Sequence, residues 1–172
     1  TGTRDTIASA AQRLMTEFNK TTAEIEEIRA KLVKLGIKEE DIDKEVVNAF
    51  NNDDWSETAL YNTIDTLKGL LSPTFPAFST TAGNVTLKVV DESMKDNFAP
   101  AAYFVSPLDN KSSDETIIIN NWDSTGYLSY DLLSHEGIPG HLYQYNYLKN
   151  SNRHNIVKVL CPTAYKEGWA TY

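Results

Sequence analysis

The sequence predicts an α+β fold in which N-terminal helices precede a small, mainly antiparallel sheet, followed by two helices around a histidine-bearing block. Three observations predict it. Apolar residues recur at three- and four-residue steps over the first 71 positions. Three runs rich in β-branched residues lie between Val85 and Asn120. Helical spacing then returns on both sides of Ser134 to Gln144, which reads SHEGIPGHLYQ. The expected division is a helical region over 1–75 and a second region over 84–172 that holds the strands and then the motif helices.

In the first region Ile7, Leu14, Phe18, Ile25, Ile28, Leu32 and Leu35 form the stripe of one amphipathic helix or of a helical pair. Thr21 or Thr22, ahead of Glu24 to Glu27, would open the second member of a pair, and Gly36 suits its C-terminal stop. Ile42, Val46, Val47 and Phe50 predict a short helix closed by Asn51-Asn52-Asp53-Asp54. Ser56 before Glu57 starts another, carrying Leu60, Ile64, Leu67 and Leu71 until Pro73 stops it. The stretch 72–83, with Pro73, Pro76 and several Ser and Thr, is a connector.

Strands are expected over 85–90, 101–105 and 116–120, the last containing Ile117-Ile118-Ile119, with a turn at 109–114 joining the final two as a hairpin. From Ser124 helix returns. Leu128, Leu132 and Leu133 lead to His135, while Leu142, Tyr145 and Leu148 follow His141 until Asn150-Ser151-Asn152 breaks the pattern. Pro162 starts a last helix over 163–172.

Composition narrows the partners. With 41% hydrophobic and 23% charged residues and no low-complexity tract, the chain has the makings of an ordinary packed core. A net charge of -8, and no more than two basic residues in a row, disfavours a nucleic-acid partner. The single cysteine, Cys161, excludes an internal disulfide and a thiolate zinc site. No run approaches the ~20 apolar residues of a membrane-spanning helix. Thr1 opens the chain without Met and Tyr172 ends it inside a helical pattern, so an excised piece is expected, with cytoplasm and cell envelope both open as locations.

The block itself poses a geometric problem. In the zinc-protease signature H-E-x-x-H the histidines sit four apart, which on a helix leaves the rings about 40° and 6 Å from each other. His135 and His141 are six apart, which on an undistorted helix means about 240° around and roughly 9 Å along the axis. They cannot share a metal that way. Gly137-Ile138-Pro139-Gly140 between them, however, is a stretch that breaks helices, and extruding two residues would restore the four-residue phase.

Catalytic zinc usually takes three protein ligands, and Glu167 in KEGWATY is the candidate third beside His135 and His141. Gly168 would allow close approach of another backbone, and Trp169 would wall the site. Glu136 would act as general base, taking a proton from zinc-activated water and passing it to the leaving amine. The plainer alternative is a polar patch in which Pro-Gly merely ends one helix before His141 starts the next. His154 is a candidate for orienting an oxyanion, against a solvated loop histidine, and Tyr143, Tyr145, Tyr147, Tyr165 and Tyr172 are candidate donors to it, against core packing. The strand 116–120 either pairs with an extended peptide or is interior.

HEGIPGH followed by Gln144, the downstream EGWATY and the upstream Ile-Ile-Ile-Asn together resemble the bacterial domain-of-unknown-function family 885. That family is similar to gluzincin-type metallopeptidases with an expanded motif, as dipeptidyl peptidase III has a one-residue expansion. The resemblance implies Zn2+ held by His135, His141 and Glu167, with Glu136 as general base. It also implies a zincin-like core within a longer, mainly helical protein, and hydrolysis of peptide bonds. Two other functions stand beside it: hydrolysis of a non-peptide amide or ester, and a non-catalytic helical binding or cell-envelope module.

Overall fold

The computed structural model describes residues 4–71, 75–76, 84–109, 114–122 and 127–172. Its contacts divide the chain into two compact units, one running to Ala49 and one from Phe50 onward.

The first unit is built on α1 (Ile7–Lys34), one continuous helix rather than a pair. Thr6 opens it by accepting the Ser9 N–H at 3.1 Å. Thr22 restarts nothing, because its hydroxyl donates to the Phe18 carbonyl at 2.9 Å and the helix runs through. Gly36, at φ 100°, takes the left-handed turn that ends α1, and the Ile37 N–H reaches back to the Leu32 carbonyl. No residue of α1 is buried. A 3-10 turn over Glu39–Asp41 leads into α2 (Ile42–Asn51).

In the second unit, α3 (Glu57–Leu70) is capped by Ser56, whose hydroxyl accepts the Ala59 N–H. Three strands follow, β1 (Val85–Val89), β2 (Ala101–Phe104) and β3 (Glu115–Ile119), in the order β1-β3-β2. β2 runs antiparallel to β3, as a hairpin requires, while β1 runs parallel to it, so the sheet is mixed. β3 is the middle strand, hydrogen-bonded on both edges, and cannot take up a peptide as a further strand. β1 and β2 are the edge strands.

Leu60, Ile64 and Leu67 of α3 pack in one buried cluster with Ile117 and Ile119 of β3 and with Leu133, Ile138 and Leu142 around the histidine block. α3 thus groups with the sheet and the motif helices. An amphipathic helix must bury its stripe, and α3 buries its own in the core of the sheet and motif helices. The connector at 72–83 lies mostly outside the described residues, as does the hairpin turn at 110–113.

Four helices complete the unit: α4 (Ser129–Glu136), α5 (His141–Lys149), a short α6 (Asn155–Val159) and α7 (Thr163–Thr171). The Asp53 carboxylate accepts the Ser129 N–H and so fixes the start of α4. Among the described residues, no helix is long and apolar enough to cross a membrane.

Candidate metal centre

Between Glu136 and His141 the helix breaks, as the six-residue spacing demands. The Gly137 N–H still closes a normal turn on the Leu133 carbonyl at 2.9 Å, but the Gly140 N–H reaches the Ser134 carbonyl and the Tyr143 N–H reaches the Gly137 carbonyl. Both of these bonds skip six residues, two more than a helical turn spans. Those two residues are the extra pair in the motif. Pro139, without an N–H, sits in the loop the skip creates, and the Ile138–Pro139 bond is cis. Gly140 is required by crowding, since a Cβ there would lie 1.8 Å from the His135 carbonyl oxygen.

The break brings the two imidazoles together. Their ring centroids are 4.8 Å apart at 89°. Glu167, projecting from α7, places Oε2 3.5 Å from Nε2 of His135 and 3.5 Å from Nε2 of His141. Ligands at about 2.1 Å around a tetrahedral ion lie about 3.4 Å from one another, so these spacings suit a single zinc ion. The donor set, two imidazoles and one carboxylate, also fits catalytic zinc. Glu136 lies close by, with a carboxylate oxygen within 4.8 Å of ring nitrogens of both histidines.

One side chain that the sequence did not single out, Tyr103, ties this site to the sheet. Its backbone N–H, on the edge strand β2, donates to Glu136 Oε2 at 2.8 Å, and its phenol donates to the Glu115 carboxylate at 2.6 Å. Glu115, only 1% exposed, also accepts from Ser106. Burial, then the Glu115 bond and charge, push the Tyr103 phenol far above its ordinary range. Alternation along β2 predicts that Tyr103 faces opposite to Ala102, but nothing in the spacing pairs it with Glu115.

A cavity of about 300 Å³ opens beside the donors, lined in part by Tyr103, Glu136, His141, Tyr145 and Glu167. Other expectations move. Gly168 has nothing within 4 Å of where its Cβ would stand, so it admits no close backbone. Trp169 does not line this cavity. Its indole N–H donates to the Pro139 carbonyl at 2.6 Å, pinning α7 to the break, and its ring stacks 6.3 Å from Tyr143. His154 caps α6 by accepting the Ile156 N–H at Nδ1, outside the cavity. Tyr143 is core, its hydroxyl on the Pro76 carbonyl, and Tyr147 stacks on it; Tyr165 and Tyr172 are exposed. Tyr145 alone of the five lines the cavity, and its hydroxyl donates to the Ser106 carbonyl.

Among solved structures the chain is similar to the putative lipoprotein from Colwellia psychrerythraea, at 21% identity and a TM-score of 0.56. The match covers 69% of this chain and 22% of that one, so the chain spans about a fifth of that protein's length. No curated protein matches it. The family model described as "Bacterial protein of unknown function (DUF885)" matches residues 1–172 throughout, and the chain belongs to that family.

Proposed function

We propose that this chain carries the catalytic centre of a zinc-dependent, gluzincin-like peptidase. The observation that carries the reading is the convergence of His135, His141 and Glu167 from three helices, with Glu167 Oε2 3.5 Å from Nε2 of each histidine, the spacing of neighbouring ligands on a tetrahedral ion. When bound there, zinc would supply a water of lowered pKa and a Lewis acid for a substrate carbonyl. Glu136 supplies the base. The Tyr103 N–H holds one of its oxygens and fixes the carboxylate's rotation, leaving the other to take a proton and hand it to the leaving amine. A peptide substrate suits the site because Ala102, Tyr103 and Val105, on and just after the edge strand β2, line the cavity beside the donors.

Metal analysis and one substitution test the reading. Purified protein given zinc should hold about one equivalent, with His141→Ala and Glu167→Ala each releasing it. Less than about a tenth of an equivalent would overturn the assignment, because the histidine–glutamate contacts would then be ordinary ion pairs. In the full-length protein, Glu136→Gln should keep the zinc and lower kcat by at least about 100-fold on peptides.

A further inference from the structure

The cavity beside the donors holds two cations that the catalytic reading does not use. Lys158 and Lys166 line it, along with Glu136 and Glu167. The two acids are engaged elsewhere, Glu136 with the Tyr103 N–H and Glu167 with both histidines. Among the described residues, neither ammonium pairs with a carboxylate. Around them the wall is largely apolar, with Ala102, Val105 and Leu148. An ammonium against such a wall loses hydration, and an anion entering the cavity offsets that loss.

Lys158 is held in place. Its Nζ donates to the carbonyl of Lys149, the last residue of α5, at 2.7 Å. At 1.5 Å of rise per residue, that carbonyl lies about 12 Å along α5 from His141. A carboxylate paired with this ammonium therefore lies on the order of 10 Å from the metal donors, the reach of roughly three residues of extended chain.

We infer that the cavity is a subsite for a substrate carboxylate, held by Lys158 and Lys166, two to three residues from the bond that is cut. The position of the bond rests on the peptidase reading, whereas the carboxylate site does not. The same chemistry comes from a free C-terminus or from an Asp or Glu side chain, and the two sources give different results.

The test is binding, measured by calorimetry with three acetylated tetrapeptides of alanine and leucine: the free acid, its amide, and the amide with Glu in the last position. The metal-free wild-type chain and the zinc-loaded Glu136→Gln chain are both used, since neither should turn substrate over. At least one anionic peptide should bind about tenfold more tightly than the neutral amide. Preference for the acid alone marks a terminal carboxylate, and preference for the Glu amide marks a side chain. Lys158→Met with Lys166→Met should abolish the preference, and Lys158→Arg alone should keep it. Circular dichroism checks that the variants remain folded. Equal binding of all three peptides, or a preference that survives the double substitution, overturns the subsite. If zinc does not bind but the metal-free preference stands, the peptidase reading fails and the subsite does not.

Discussion

Gly140 and Gly168 flank the same donors, yet their positions ask opposite things of a side chain. A Cβ on Gly140 would meet backbone, the His135 carbonyl oxygen at 1.8 Å, and no rotamer change relieves that. Gly140→Ala should therefore cost at least about 3 kcal/mol and separate His135 from His141. Chemical denaturation and zinc titration would both register the loss. Gly168→Ala in α7 should do the reverse, raising stability by up to about 1 kcal/mol with zinc affinity unchanged, because nothing lies within 4 Å and alanine favours helix. Both glycines stand beside candidate ligands in the sequence, and only the fold tells which is sterically required.

Tyr103 makes a pH prediction at the same scale. Its phenol is raised above the ordinary value of 10.0 in the folded chain, so the native state keeps a proton that the unfolded chain gives up. The stabilisation is complete below about pH 10 and falls as pH rises above it. Tyr103→Phe should flatten the loss of stability between neutral pH and about pH 11, measured by urea unfolding. A slope as steep as that of the wild type would remove Tyr103 as its source.

At the scale of elements, the break between α4 and α5 was legible because four constraints met in seven residues. Two histidines, their six-residue spacing, the proline and the flanking glycines leave few ways for a backbone to bring the rings together. The placement of α7 was not legible in the same way. Glu167 could be proposed as a ligand from its residue type, but what holds it there is the Trp169 N–H on the Pro139 carbonyl, a bond across 30 residues that no periodicity encodes. Trp169→Phe keeps a ring against Phe75 and Tyr143 and removes only that bond. It should weaken zinc about tenfold, as loss of an outer supporting group does, while far-UV circular dichroism stays unchanged. Unaltered affinity would mean that packing alone sets the position of Glu167.

Across the molecule, short-range signals are written in the sequence and long-range pairings are not. Signals such as Gly36 and Ser56 act within a few residues, so the helix ends they set were predictable. The parallel pairing of β1 with β3 joins Val85 to Glu115 across 30 positions, and the inclusion of α3 in the second unit depends on a core shared with Ile117 and Leu142. Alternation along a strand carries neither fact. The same shared core makes a last prediction about the whole second unit. His135, His141 and Glu167 come from α4, α5 and α7, and α4 packs in turn on α3 and β2. An ion that binds all three donors binds only the folded arrangement. Zinc at 100 times its Kd should then stabilise this unit by about 2.7 kcal/mol, raising its thermal midpoint by several degrees. The shift should shrink on acidification, because the imidazoles must lose protons to bind. His141→Ala should abolish it. An equal shift in that variant would place zinc elsewhere on the chain and disconnect the break in the helix from metal binding.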